Sequence, residues 1–166
     1  MIVRRERLAD HELVDAVQRA AFATGPGEPV EVPLLQALRV GPWFLPQFSL
    51  VALGPDGIAG HVIATRGYVG DHPALGVGPL GVAPDQQGTG VGSALMHALL
   101  GAAEATGETV VALLGDPTYY SRFGFRAAGH MSPNPEWGPY FQVRLLTVLG
   151  SPFRGTFRYA PPFDNL

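Results

Sequence analysis

The sequence predicts a single α/β domain of the α+β type, with a mixed, mainly antiparallel central sheet flanked by helices. Two strand-like runs, "FSLVALG" and "IAGHVIATRGYV", flank the turn signal Pro55-Asp56-Gly57, which makes residues 48–67 an antiparallel hairpin. A strand at 75–83, a helix at 90–106 and a strand at 109–115 form a crossover in the same sheet. The chain has 166 residues, 46% of them hydrophobic and only 15% charged, which suits one domain over residues 1–166 with a real core.

Each element has its own signal. Residues 2–7 read as a first strand, and Asp10 is placed to cap a helix in which Leu13, Val17 and Ala20 or Ala21 recur at helical spacing. "TGPGEP" breaks that helix, and a second spans about 31–40, with Pro33 tolerated in its first turn and Leu34, Leu35 and Leu38 facing inward. After the hairpin and the turn "GDHP", the run "ALGVGPLGVAP" is a third strand, and its internal Pro79 cannot donate to a ladder, so a bulge or break falls there. The next helix buries Val91, Leu95, Leu99 and Ala102, and "TVVALLG" is a continuous apolar strand for a covered sheet. Asp116 and Pro117 open a short helix as N-cap and first residue. "YFQVRLLTVLG" contains one more strand and leads into a proline-rich tail.

Composition removes several functions. Without cysteine there is no disulfide, thiolate metal site or thiol nucleophile. The amino terminus lacks the apolar stretch of a signal peptide, and no window approaches the ~20 apolar residues of a membrane span. A cytoplasmic protein with no membrane partner is expected. The net charge is −3 and the basic side is entirely arginine, which argues against a nucleic-acid partner. Five histidines, at 11, 61, 72, 97 and 130, show no metal-ligand spacing, so no metal is expected.

The chemistry concentrates in "APDQQGTGVGSALM" at 83–96. Gly88, Gly90 and Gly92 alternate just before a helix, where unpaired N–H groups point outward and attract an anion. The dinucleotide fingerprint G-x-G-x-x-G fails, because its third glycine falls on Ser93 from Gly88 and on Leu95 from Gly90. A phosphate loop ending Gly-Lys-Ser/Thr is excluded in a chain without lysine.

What fits is Gln87-x-x-Gly90-x-Gly92 directly after a strand ending Val82-Ala83-Pro84, and with it the sequence resembles the GNAT superfamily of acetyl-CoA-dependent N-acetyltransferases. "GDPTYYSRFGF" is similar to the second half of that signature, a tyrosine four residues before Gly-Phe, here Tyr120. Together with "GPLGVAPDQQGTGVG" and "FRYAPPF", the resemblance is to a bacterial branch of the superfamily and covers nearly the whole chain. It implies acetyl-CoA as cosubstrate, with its pyrophosphate on the main chain of Gln87, Gly88, Thr89, Gly90, Val91, Gly92 and Ser93 at the positive end of a helix dipole. It also implies that the pantetheine arm lies along Leu80, Gly81 and Val82 in a V-shaped opening between the strands at 75–83 and 109–115. The N–H near Val82 then faces the developing oxyanion, and Tyr120 gives the departing thiolate its proton.

The general base is not readable. Members of the family often carry a glutamate on the central strand, where this chain has only Gly76 to Gly81 without an acid, leaving water relayed from Glu31, His72 or His130. Glu28 and Glu31 sit where similar proteins wall the acceptor. Tyr119 reads as core, and Trp43 and Trp137 as core or pocket lining. The expected reaction is acetyl transfer within a ternary complex to a primary amine, of a small molecule first and of a protein second. An acyl-CoA-binding regulatory module without turnover is the alternative from another class, a nucleotide-binding oxidoreductase is a weaker third, and a homodimer is left open.

Overall fold

Antiparallel pairing dominates the sheet, as the hairpin signal requires. The structure, a computed structural model, describes residues 1–146 and 154–166. Its strands are β1 (Ile2–Arg5), β2 (Phe44–Gly54), β3 (Gly57–Val69), β4 (His72–Val82), β5 (Val110–Leu114), β6 (Arg126–Ala127), β7 (Phe141–Leu145) and β8 (Phe157–Arg158). The helices are α1 (His11–Phe22), α2 (Glu31–Arg39), α3 (Val91–Ala105) and α4 (Pro117–Tyr120). The strand order is β1-β2-β3-β4-β5-β7-β6, with β8 added to β3. Among the described residues β4 and β5 form the one parallel pair, joined through α3. The remainder of the last sequence-predicted strand, beyond Leu146, lies outside the described residues.

Burial explains where the helices sit. α3 packs Val91, Leu95 and Leu99 against Leu75 and Val77 of β4 on one face of the sheet, while α1 and α2 bring Val14, Leu35 and Leu38 to Val51 and Ile63 on the other. The α3 stripe ends on Ala103, which is fully buried, whereas Ala102 is only partly so.

Two readings of α1 need correction. Leu13 is 59% exposed, and the buried face turns on Val14 and Gln18 instead. That face is rotated because Gln18 reaches a buried polar group on β3, an attraction that apolar periodicity does not register. Asp10 does stand at the N-cap position, but its carboxylate makes no cap bond to α1. A 3-10 turn at Leu8–Asp10 precedes the helix, so Asp10 instead closes that turn on the Arg7 N–H (2.7 Å) and pairs with both Arg4 guanidinium nitrogens (2.7 and 3.0 Å).

The irregularity expected at Pro79 is present and positions everything downstream. Val62 pairs with Leu80 and Ala64 with Val77, so two steps along β3 oppose three along β4, and the extra residue lies at Gly78-Pro79. As a result Leu80 and Val82 face α3 as Leu75 and Val77 do, despite the change in parity. Pairing of β4 with β5 covers Leu75–Val111, Gly76–Ala112 and Val77–Leu113 and stops there. Beyond Val77 the two strands part.

Candidate active site

The main chain past the bulge is oriented by the ladder on its other side. The Ala83 N–H donates to the Ala59 carbonyl (2.8 Å), and antiparallel bonding alternates, so the polar groups of Leu80 and Val82 point away from β3 into the opening. The Val82 carbonyl accepts from the Gln87 side-chain amide (3.1 Å), which ties the loop to the strand and leaves the Val82 N–H in the opening. By the same alternation Gly81 belongs to the β3 ladder opposite His61. Its α-carbon faces Gln18 of α1, so closely that a Cβ would collide with that side chain.

The loop that follows has the form of an anion cradle. Gly88 (φ +74°) and Gly90 (φ +93°) occupy the left-handed region, Gly90 as the N-cap of α3, and nothing stands within 4 Å of where their Cβ atoms would be. Thr89 closes the preceding turn through its hydroxyl on the Gln86 carbonyl (2.6 Å). Val91 is core, so only its backbone is available to a ligand, while Ser93 is partly buried in the first turn. Gly92 is crowded, since the Tyr119 hydroxyl lies 2.5 Å from where its Cβ would be. Tyr119, read as core, therefore reaches the start of α3 with its polar end.

Asp116 caps α4 as expected, accepting from the Thr118 N–H (2.9 Å) and hydroxyl (2.8 Å), and these bonds hold its carboxyl below the usual range. The cap sets Tyr120 against Gly115, where a Cβ would strike the ring, and edge-on to Tyr119 at 4.9 Å between centroids. Burial, and secondarily the neighbouring Tyr119, pushes the Tyr120 phenol up to about 12, so it remains protonated.

Tyr120, Asp116 and the diverging ends of β4 and β5 line a cavity of about 510 Å³. Val77 to Leu80 of β4 line one side and Leu113 to Asp116 the other, with Tyr120 at the junction and Glu31 of α2 across from it. Glu28 lies elsewhere, bonded to Arg19 at the surface. Of the proposed water relays, His72 stands at the far end of β4, bonded to the Thr109 hydroxyl (2.6 Å), and His130 is exposed in a 3-10 turn. Among the described residues no group of three or more potential metal ligands occurs. No helix among them is long and apolar enough to cross a membrane.

Trp137 apart, the remaining cavity wall was missed by sequence reasoning. The proline-rich tail is no mere appendage: Phe157 and Arg158 add to β3 as β8, opposite Val69 and Tyr68. Tyr159 then lies across Gly76, with ring Cδ1 2.7 Å from where a Cβ would be, and Phe163 and Trp137 complete the wall. The alternation Phe157-Arg158-Tyr159 before a proline was the signal available. Trp137 thus lines the cavity, while Trp43 backs a neighbouring hollow of about 670 Å³ that shares Trp137, Tyr159 and Phe163.

A buried polar chain runs from α1 across β3 and β2 to α2. Ser49 donates its hydroxyl to Glu6 (2.6 Å), so the His61 Nε2–H donates to Ser49 (3.0 Å) and Nδ1 accepts from Gln18 (2.9 Å). Arg39 bridges Glu6 and Asp15. Burial would raise the Glu6 carboxyl, but the bonds from His61, Arg39 and Ser49 outweigh it and bring it down to about 2. Burial also holds His61 below its ordinary value, against the pull of Glu6, so the imidazole is neutral.

An acetyltransferase (GNAT) domain model matches residues 47–127. The chain is 31% identical over 146 residues to the N-acetyltransferase YhbS of Escherichia coli K12, covering 82% of this chain and 80% of that one. It belongs to the GNAT acetyltransferases. A GNAT acetyltransferase from Brucella melitensis in complex with acetyl-CoA superposes with a TM-score of 0.79 at 30% identity, covering 98% of this chain and 97% of the other. The CoA complex of Escherichia coli YhbS gives 0.84 at 29%, covering 98% and 91%. The protein is accordingly an acetyl-CoA-dependent N-acetyltransferase, and the open cradle and parted strands suit that cosubstrate.

Proposed function

We propose that this GNAT enzyme acetylates the primary amine of a small molecule by direct transfer within a ternary complex. The observation that carries the reading is the single cavity joining the parted strands, Tyr120 and Glu31. Acetyl-CoA brings the thioester, whose pyrophosphate the amides from Gly88 to Ser93 receive, with Gln87 holding the loop to Val82. The Val82 N–H donates to the carbonyl oxygen as charge builds on it. Glu31, facing the amine from α2, attracts its protonated form and accepts, directly or through water, the proton shed before attack. The nitrogen lone pair then forms the C–N bond, the C–S bond breaks, the second proton passes from nitrogen to sulfur, directly or through water, and Tyr120 supports the departing sulfur with its O–H.

Asp116 also borders the cavity, but its carboxyl is committed to Thr118 and its lowered pKa makes it a weak base, which favours Glu31. Glu31→Gln tests the assignment because it keeps size and removes charge. The expected result is a raised KM for the amine with unaltered acetyl-CoA affinity. Unchanged amine kinetics would reduce Glu31 to a charge complementing the start of α2, worth about 0.3–1 kcal/mol of stability.

A further inference from the structure

The acceptor end of the cavity is built from rings. Phe22 ends α1, Trp137 comes from the loop before β7, and Tyr159 and Phe163 come from the tail, all on the sheet face opposite α3. These rings brace one another: Tyr159 stands 4.7 Å from Phe163 and 6.2 Å edge-on from Trp137, centroid to centroid. Gly76 is what allows the Tyr159 ring to lie on β4, so the wall is specified by the strand sequence as well as by the tail.

Charge in the same space is sparse. Among the described residues the cavity lining contains no arginine and no histidine, and of its two side-chain carboxylates Asp116 is bound to its own helix. Glu31 is left to meet one ammonium. A polyamine or an amino sugar with several ammonium groups would bring further charges against a wall of rings, where the next acidic side chain, Asp164, belongs to the neighbouring hollow. A flat apolar body, by contrast, meets ring edges and faces at the separations aromatic pairs prefer. We infer that the acceptor is a primary amine on a short arm from an aromatic ring. The ring sits among Trp137, Tyr159 and Phe163, and the amine extends between Glu31 and Tyr120 toward the parted strands. This rests on the small-molecule acceptor reading above and narrows it. The reaction balances as acetyl-CoA plus the ammonium giving the N-acetyl arylalkylamide, the free thiol of CoA and a proton: one proton goes to Glu31 or water before attack, and the second, released as the C–N bond forms, is gained by sulfur.

The test is a panel at saturating acetyl-CoA, with released thiol as the readout: phenethylamine, butylamine, spermidine and a lysine-containing peptide. The expected kcat/KM for phenethylamine exceeds that for butylamine and for spermidine at least tenfold. Phe163→Ala should lower the phenethylamine value at least tenfold while changing butylamine less than threefold, with the melting shift from acetyl-CoA retained. Tyr159→Leu should act in the same direction, which covers a failure of the first variant to fold. Spermidine or butylamine matching phenethylamine overturns this inference and leaves the small-molecule reading standing. Acetylation of the peptide alone overturns both. Acetylation of none of the four rejects the aromatic class outright.

Discussion

Tyr120 owes its position to a missing side chain. Only a glycine at 115 leaves room for its ring at the end of β5, and the Asp116 cap fixes the turn that delivers it. With the phenol pushed up to about 12, it is a hydrogen-bond donor throughout the working range. A thiol near the cysteine value of about 8.5 is the stronger acid of the two, so in the proposed reaction Tyr120 would serve the departing sulfur by its hydrogen bond more than by full transfer. Tyr120→Phe is expected to lower kcat at least tenfold, about 1.4 kcal/mol of barrier, with acetyl-CoA affinity nearly kept. Tyr119→Phe should behave differently, because its hydroxyl lies against Gly92 at the start of α3. Its effect belongs in acetyl-CoA affinity, and a loss of kcat as large as that of Tyr120→Phe would mean the two tyrosines have exchanged roles.

At the scale of elements, the decisive unit is β4, its bulge and the loop into α3. Gly90→Ala and Gly90→Asp place a side chain on the same left-handed backbone, so they share the conformational cost, about 1–2 kcal/mol. Only the aspartate adds a charge, which would face the phosphate in the proposed cofactor placement. Acetyl-CoA should therefore bind Gly90→Asp at least tenfold more weakly than Gly90→Ala by calorimetry, and the gap should shrink as salt rises. Equal affinities would place the phosphates away from this loop. Much of this unit was legible because its signals are local: alternate glycines, a proline inside a strand, Asp-Pro at a helix start. The hairpin around Pro55-Asp56-Gly57 was legible for the same reason. The aromatic wall was not, since Tyr159 meets Gly76 only after the tail has paired with β3, a contact set by register across the whole chain. The rotated face of α1 escaped likewise, because Gln18 is buried for His61, 43 residues away, and polar partners leave no hydrophobic period.

Across the whole molecule, two features tie distant segments together, and each has a consequence for stability. The buried chain Arg39–Glu6–Ser49–His61–Gln18 joins α2, the residue just after β1, then β2, β3 and α1. His61 is neutral when folded and takes a proton near 6.5 when unfolded, so the unfolded state binds more protons and stability falls as pH drops below that value. Glu6 adds a further loss between its ordinary value of 4.5 and its folded value of about 2. Melting temperature should thus decline from pH 7 toward 5, and His61→Gln, less stable at pH 7, should show a shallower decline; an identical slope would remove His61 from the account. The second feature is the seam between β4 and β5, three residue pairs long, which is the direct strand contact between the β1–β4 and β5–β7 halves of the sheet. A cosubstrate placed in the opening beyond Val77, as proposed, would continue that seam with its own hydrogen bonds and so bind the folded sheet and not the unfolded chain. At a hundredfold excess over Kd, acetyl-CoA should add about 2.7 kcal/mol, which in a domain of this size is a rise of roughly 5–11 °C. NAD, which shares the pyrophosphate but lacks the pantetheine arm, should give little of this. Free CoA should retain most of it. Were NAD to stabilise as well as acetyl-CoA, the phosphate cradle alone would account for binding and the parted strands would hold nothing.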